Sequence, residues 1–472
     1  MLTRMAIRGF KNIYDETIEF GPYTCIAGPN AVGKSNLFDA IEFLSLLADN
    51  SFLEAVQLLR PSGDRSSDPI SLFTLDDQGS PIRSIDLEVD MIIGSRVIDD
   101  FGIDAAPRST FLTYRIELEY VPRDRSIPGK TGNLSLVREE LRPLRKGDAH
   151  LRLPWPHSAG SFRREAIVNR RFKGAYVSTE ELDGMSTLFV HADGGSRGKP
   201  RKSPISEASR SAVSNATSAD EPTMLAVRQE MMAWRKLALE PSAMRQPDEL
   251  FSPTATVTTS GSHLAACLWR LSQDDSDVSD RVAATLSELA DVRDVRVIHD
   301  ERRDVLTLEA RLSHGPFLPA KSLSEGTLRF LALALIEEDN LFHGLICMEE
   351  PENGIHPAKL PAMVDLLKAL SVDPFESPGS DNPLRQVIVN THSPDFVREQ
   401  HPEDLLIATR VDFNVRLGNV AGVEFSPMIN TWRSAKGGPH ATVSSVSSYL
   451  RDPRESHLFE ELPLFDEEGA ES

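Results

Sequence analysis

The most constraining feature of the sequence is a glycine-containing segment, GPNAVGKS, at residues 28–35. It follows a short apolar run at residues 23–27 and precedes residues 35–48, whose apolar side chains recur at helical spacing. The segment fits the pattern GxxxxGK[ST], in which glycines let the backbone curl so that amide hydrogens point at phosphate oxygens. A strand, a phosphate-binding loop (P-loop) and a helix are therefore predicted here, within an α/β fold.

The P-loop predicts both a nucleotide and a metal ion as ligands. Lys34 can reach the β- and γ-phosphates of ATP, and the hydroxyl of Ser35 can bind Mg²⁺. The residues expected to contact the nucleotide here are Gly28, Pro29, Asn30, Ala31, Val32, Gly33, Lys34, Ser35 and Asn36.

Two adjacent carboxylates end a second apolar run, GLICMEE, at residues 344–350. In a P-loop fold such a strand lies beside the strand that leads into the loop. Glu349 would then help to hold Mg²⁺, and Glu350 would polarise the attacking water. Two acids after an apolar run indicate by themselves only the end of a strand, and it is the P-loop that favours a catalytic interpretation.

Two further segments carry residue types suited to a phosphate site. In KSLSEGTLR, at residues 321–329, Ser324 is a good helix N-cap and Gly326 permits close backbone approach to a ligand. A β-branched run at residues 387–389 leads to His392, which could hydrogen-bond a γ-phosphate or the attacking water. Alone, these would indicate an ordinary capped helix and an ordinary loop histidine; together with the P-loop they favour one active site.

In this order the four motifs resemble those of the ABC-type ATPases of the RecF, SMC (structural maintenance of chromosomes) and OLD (overcoming lysogenisation defect) group. The resemblance covers about residues 1–150 and 260–400. RGFKN, at residues 8–12, resembles the strand and turn that come before the P-loop in this group. The resemblance identifies residues 28–35 as the Walker A loop, 345–350 as the Walker B strand, 323–327 as the signature, 353–356 as the D-loop and His392 as the switch histidine.

The resemblance also implies how the site works. ATP held by the Walker A loop of one subunit would meet Ser324, Glu325 and Gly326 of a second subunit in a head-to-tail dimer. Binding would close the dimer and hydrolysis would open it. The residues implied to act in catalysis are Lys34, Glu350 and His392, and those implied to bind Mg²⁺ are Ser35 and Glu349.

Three departures from the family pattern bear on function. The Mg²⁺ carboxylate is usually Asp, and Glu349 is one methylene longer, which could slow turnover because Mg²⁺ is strict about geometry. The Q-loop glutamine has no clear position, and long coiled-coil arms are missing. The residues after His392 contain no Asp-x-Asp pair, so a Toprim nuclease domain is not expected and any nuclease or toxin would be a separate effector.

Patterning along the chain predicts an ATPase head split by an insertion. Strands that alternate with helices predict a mixed sheet flanked by helices, joined to an antiparallel β lobe. The expected regions are residues 1–150 (first part of the head), 151–260 (a basic, helical insertion with a helix at 223–239 and a mobile loop at about 194–221), 261–430 (second part of the head) and 431–472 (an extension with an acidic tail).

The charge distribution leaves nucleic-acid binding open. A net charge of −20 argues against a surface that is basic all over, but binding needs only a local patch. The basic side chains at 138–202 fit either a solvated surface with a disordered loop or a phosphate-contacting patch. They are Arg138, Arg142, Arg145, Lys146, Arg152, Arg163, Arg164, Arg170, Arg171, Lys173, Arg197, Lys199, Arg201 and Lys202.

Other sequence features indicate a cytoplasmic protein. No apolar run approaches the roughly 20 residues that a membrane-spanning helix needs, and the first ten residues have no apolar signal core. Cys25, Cys267 and Cys347 are far apart and lie in apolar segments. We expect them to be buried, without a disulfide framework or a zinc site.

These features favour an ATP-driven sensor or switch of a bacterial DNA-maintenance or anti-phage system, which acts as a homodimer or a larger even oligomer and controls a separate effector. One alternative is a RecF-like repair ATPase that binds duplex DNA directly. The other is a scaffold that binds ATP without hydrolysing it. A transporter subunit is disfavoured because the motifs and the N-terminal strand fit the DNA-linked group better.

Overall fold

A computed structural model describes residues 1–59, 68–76, 78–122, 132–169, 174–193, 199–251, 255–415, 418–437 and 439–442. The acidic tail and four of the basic residues noted above, Arg170, Arg171, Lys173 and Arg197, lie outside the described residues. Among the described residues, every helix is too short or too polar to span a membrane. All three cysteines are buried, as predicted.

The strands, in chain order, are β1 (Leu2–Phe10), β2 (Ile13–Glu19), β3 (Tyr23–Ala27), β4 (Ile85–Ile92), β5 (Val97–Ile98), β6 (Asp104–Ala105), β7 (Phe111–Val121), β8 (Asn133–Pro143), β9 (Val177–Leu182), β10 (Met185–Val190), β11 (Arg201–Pro204), β12 (Arg235–Leu237), β13 (Asp248–Glu249), β14 (Val292–Asp300), β15 (Val305–Leu312), β16 (Phe317–Pro319), β17 (Gly344–Glu349), β18 (Arg385–Thr391), β19 (Leu405–Val415) and β20 (Gly418–Pro427).

The helices, in chain order, are α1 (Lys34–Leu47), α2 (Phe52–Leu59), α3 (Ala149–Arg152), α4 (Phe162–Ala166), α5 (Pro222–Met232), α6 (Pro241–Met244), α7 (Leu264–Asp274), α8 (Val278–Ala290), α9 (Glu325–Glu338), α10 (Leu360–Ala369) and α11 (Pro394–Arg398).

The chain forms two compact units, the first of which consists of two segments that are separated in sequence. The first unit consists of Met1–Ala233 and Gln400–Ser472, and the second is the intervening segment Trp234–Glu399. The P-loop therefore belongs to the first unit. The signature, the Walker B strand and His392 belong to the second.

The first unit contains an antiparallel sheet with the order β11-β10-β9-β8-β7-β4-β1-β2. Its central strands alternate in burial, as in β7, because one face packs on the core and the other faces solvent. In the same unit β3 pairs in parallel with β19, and β19 pairs antiparallel with β20. All five residues of β3 are buried, as a parallel strand covered on both faces requires.

The second unit has a parallel sheet at its centre. β17 pairs in parallel with β12 on one side and with β18 on the other. The first five residues of β17 are buried and its last residue, Glu349, is exposed. All seven residues of β18 are buried. A smaller sheet in this unit has the order β13-β15-β14, with β16 also paired to β15. Helix α9 contributes a largely apolar, buried length from Leu328 to Ile336.

The predicted elements around the P-loop are confirmed, but the predicted insertion is not only helical. Strands β9, β10 and β11 continue the antiparallel sheet, so most of residues 177–204 adds to the β lobe. The helix predicted at 223–239 ends as α5 at Met232, and the chain then forms strand β12. Edge pairing of β12 with β17 overrides the helical periodicity here, which sequence patterning does not detect.

Candidate active site

Two positions of the P-loop require glycine, one because of a close backbone contact and the other also because of its φ angle. A Cβ atom on Gly28 would lie 2.6 Å from the carbonyl oxygen of Ala408 in β19. Gly33 has a φ of +116°, and a Cβ there would lie 2.3 Å from the side chain of Asn12. Gly33 is also the N-cap of α1, so the loop leads straight into a helix N-terminus, where amide groups favour a phosphate.

The turn after β1 buttresses the loop. Asn12 donates its side-chain amide to the carbonyl of Val32 at 2.8 Å, and its side-chain oxygen accepts from the amide of Asn36 at 2.6 Å. Lys11 forms an ion pair with Asp39 on α1. The RGFKN segment therefore fixes the loop to the helix, which gives a physical reason for its position ahead of the P-loop.

Lys34 and Ser35 lie at the start of α1 and differ in exposure. The Lys34 side chain is buried, and its ammonium group donates to the carbonyls of Gly28 at 2.6 Å and Pro29 at 2.8 Å. Ser35 is exposed, as are the loop residues Asn30 and Ala31. A buried cation beside an exposed curled backbone is an arrangement that suits the phosphate groups of a nucleotide.

In the second unit, β17 ends at a carboxylate that already has a cationic neighbour. The Nζ of Lys236, on β12, lies 2.9 Å from Oε1 of Glu349. Sequence reasoning missed Lys236 because the parallel strand that carries it was predicted to be helix.

Glu350 is constrained through both its backbone and its side chain. Its φ is +49°, a left-handed conformation that non-glycine residues seldom adopt. Its two carboxylate oxygens have different partners: Nδ1 of His392 lies 2.6 Å from Oε1, and Nδ2 of Asn353 donates to Oε2 at 2.7 Å. Its backbone amide donates to the carbonyl of Asn390 at 2.9 Å. The structure thus brings together two predicted catalytic residues from different motifs.

A second carboxyl group, that of Glu352, lies close enough to this pair to interact with it electrostatically. Glu352 is 8% exposed and accepts a hydrogen bond from the hydroxyl of Thr391, the residue before His392. Burial raises the pKa of Glu352, while the Thr391 hydrogen bond partly opposes the shift. The contact ties the turn after β17 to the end of β18, so it positions His392 relative to Glu350. Glu352 and Thr391 were not predicted, although both lie directly beside predicted residues.

The signature segment packs against the D-loop of the same chain. Ser324 caps α9 by accepting a hydrogen bond from the amide of Thr327 at 3.1 Å, and its side chain is exposed. A Cβ on Gly326 would lie 3.2 Å from the carbonyl oxygen of Gly354. The close approach predicted at Gly326 is therefore made to the chain's own backbone. Glu325 pairs with Arg329 at 2.9 Å, one turn further along the helix.

The donor chemistry fits a hard cation. Ser35 and Glu349 both offer oxygen atoms with solvent access, and oxygen is the ligand that Mg²⁺ prefers. In the described part of the chain, no group of three or more His, Cys, Asp and Glu side chains could hold a metal ion by itself. Phosphate oxygens or water would therefore have to complete any Mg²⁺ shell.

Two family models match segments of the chain that contain the motifs. The family model of the AAA domain described as a putative AbiEii toxin of a type IV toxin–antitoxin system matches residues 195–398. A second AAA-domain model matches residues 4–58. The first match includes the signature, the Walker B strand and His392, and the second includes the P-loop. No protein with curated annotation matches the chain.

Similar solved structures are SMC head domains. Each is 13% identical to this chain in sequence and covers 90% of it. They are an SMC head bound to the C-terminal winged-helix domain of ScpA (TM-score 0.48, 98% of that chain), the head domain from Thermotoga maritima (0.38, 98%) and a head with an extended coiled coil bound to the C-terminal domain of ScpA, derived from Pyrococcus furiosus (0.42, 96%).

The two AAA-domain matches together cover the motifs of both units. The chain is a P-loop ATPase with two segments, residues 4–58 and 195–398, that match AAA-domain family models.

Proposed function

We propose that the chain is an ATP-driven switch in which Glu350 is the general base of hydrolysis. The observation that carries this proposal is the clamping of both Glu350 oxygens, by His392 and by Asn353. A carboxylate fixed in this way can accept a proton from a positioned water molecule. The half-exposed state of the pair, 31% for Glu350 and 40% for His392, leaves room for that water.

The remaining residues receive complementary roles. Residues 28–36, other than Pro29, which has no N–H, bind the phosphates through backbone amides, and Lys34 neutralises charge that develops on the phosphoryl oxygens. His392 orients Glu350 and can donate to a phosphate oxygen or to the attacking water. Ser35 and Glu349 would hold Mg²⁺, which supplies charge neutralisation across the β- and γ-phosphates when it is bound.

We propose that the complete site needs a second copy of the chain. Ser324 is exposed at the N-terminus of α9, a helix of fourteen residues. A helix N-terminus with an exposed hydroxyl is suited to an anionic ligand. Within its own chain this N-terminus already packs on the D-loop, so an ATP bound by another subunit is the ligand it would serve.

The switch would control a separate effector, such as a nuclease or toxin, in anti-phage defence or DNA maintenance. The match to an AAA-domain family described by a toxin–antitoxin system supports this role.

The described basic residues give less support to direct DNA binding, because several already have acidic neighbours. These contacts include Arg138 to Glu140 at 3.5 Å, Arg142 to Glu140 at 3.1 Å, Arg152 to Asp90 at 3.0 Å, Arg164 to Glu165 at 2.9 Å and Arg201 to Glu221 at 2.7 Å.

Light scattering during gel filtration tests the dimer. In Mg²⁺ and ATP, Glu350→Gln should retain uncleaved nucleotide and run as a dimer. Adding Ser324→Arg to that variant should leave nucleotide binding intact but return the protein to a monomer. A Glu350→Gln protein that binds ATP and stays monomeric would contradict the switch.

The RecF-like alternative makes a different prediction. Duplex DNA should then stimulate ATP turnover, and charge reversal at Arg163 and Arg164 should abolish both binding and stimulation. Turnover that is indifferent to DNA would favour a protein partner as the input.

A further inference from the structure

The ion pair between Lys236 and Glu349 joins two residues on neighbouring strands of one sheet. Lys236 is on β12, opposite Cys347 of β17 in a parallel register. The preceding residue, Arg235, lies over the ring of Phe342 at 4.5 Å, which fixes the strand from its other side. The Lys236 and Glu349 side chains are 27% and 36% exposed, so the pair is accessible to solvent and to ions.

The pair lies in a region with an excess of negative charge. Glu349, Glu350 and Glu352 follow one another within four residues, and the pKa of Glu352 is raised mainly by burial and also by the charge of Glu350. A lysine ammonium group is a compact point charge on a flexible stem, so it can neutralise a carboxylate and later withdraw. Mg²⁺ needs the same carboxylate oxygens and prefers near-ideal octahedral geometry.

We propose that Lys236 is the internal counter-cation of Glu349, and that Mg²⁺ must displace it before this carboxylate can bind the metal. This inference rests on the Mg²⁺ role proposed above for Glu349. Lys236 is thus a positioning residue, and it raises the Mg²⁺ concentration at which the ATPase takes up Mg·ATP. Its effect should be modest, about two- to fivefold, because half-exposed ion pairs are weak.

The test uses the full-length chain with Glu350→Gln as the parent, so that hydrolysis does not disturb binding. Mg²⁺ is titrated against a fluorescent ATP analogue, and Mn²⁺ binding is followed in parallel by electron paramagnetic resonance. Lys236→Met should lower the Mg²⁺ midpoint about two- to fivefold. Lys236→Arg, which keeps the charge, should stay near the parent. Arg303→Met removes one positive charge from an 81% exposed side chain in the same unit and controls for net charge.

Glu349→Gln, introduced into the Glu350→Gln parent, distinguishes the metal-binding role of Glu349 from the counter-cation role of Lys236. If Glu349→Gln raises the Mg²⁺ midpoint but Lys236→Met leaves it unchanged or raises it, the counter-cation role is wrong and the metal role of Glu349 stands. If neither substitution moves the midpoint, Glu349 is not a metal ligand and the inference about Lys236 falls with it. Thermal unfolding of each variant shows that the folded state is retained.

Discussion

The P-loop and the turn after β17, on which the proposed function rests, are held in place by different means. Residues 28–35 contain no carboxyl group and depend on backbone shape, set by Gly28 and Gly33. The turn after β17 depends on side chains, since Glu350 is fixed by His392 and Asn353. The first region should therefore fail when atoms are added to its backbone. The second should fail when a partner is removed, and it should respond to pH.

The largest effect on ATP affinity is expected from adding a methyl group to the P-loop. Gly28→Ala places a Cβ about 2.6 Å from the Ala408 carbonyl oxygen, and Gly33→Ala forces a non-glycine residue to a φ of +116°. We expect ATP binding to weaken by at least about 100-fold in either variant, since the amide groups can no longer converge on phosphate. Equilibrium binding of a fluorescent ATP analogue measures this.

Gly160→Ala is the matched control, because a Cβ there meets no atom within 4 Å. It should bind ATP as the parent does. A Gly28→Ala protein with normal affinity would show that the loop is not held by its fit against β19.

An intermediate effect is expected from loosening Glu350. His392→Ala and Asn353→Ala each free one carboxylate oxygen while leaving residues 28–36 intact. Turnover should fall about 10- to 100-fold with little change in ATP affinity, since a poorly oriented base loses part of the rate enhancement of general catalysis. His343→Ala changes an exposed histidine whose Nδ1 lies 3.1 Å from the Leu341 carbonyl oxygen, and it is the control in a steady-state phosphate-release assay. Equal loss of affinity and turnover would place these residues in binding instead.

The smallest effect concerns Glu352 and Thr391. Thr391→Val removes the hydroxyl that donates to the buried carboxyl group and should lower the free energy of unfolding by about 1–3 kcal/mol, whereas Thr391→Ser should not. Urea unfolding followed by circular dichroism measures the difference.

The burial of Glu352 predicts a pH dependence, because burial raises the pKa of this carboxyl group. The folded-state pKa of Glu352 lies above its ordinary value of 4.5, so the folded protein binds the proton more tightly than the unfolded chain. This group's contribution to stability therefore falls as pH rises from 4.5 through the folded-state pKa. As pH rises through this range, the free energy of unfolding of Glu352→Gln should increase relative to that of the parent. A difference between the two proteins that does not change with pH would contradict a raised pKa for Glu352.

The same contrast explains how much of the molecule could be predicted from sequence. Strand β3, the P-loop and α1 were predicted almost to the residue, because the motif is contiguous and its conformation is local. The end of β17 and His392 were also predicted, since each has a recognisable strand before it.

Contacts between distant segments could not be predicted. Lys236 reaches Glu349 across more than a hundred residues, and the pairing of β12 with β17 that brings it there overrode a helical pattern. Strands β9–β11 likewise join the antiparallel sheet through pairing that no local motif encodes. The tie between Thr391 and Glu352 depends on the adjacency of β17 and β18, so its two residues looked like ordinary neighbours of the motifs.

The most direct test of the account is Mg²⁺-dependent ATP hydrolysis by the full chain, measured as phosphate release, with Glu350→Gln beside it. We expect steady turnover in the parent and a loss of about 10²- to 10⁴-fold in Glu350→Gln, with ATP affinity preserved. Turnover that survives the substitution would contradict the assignment of Glu350 as the base, whatever the fate of the P-loop.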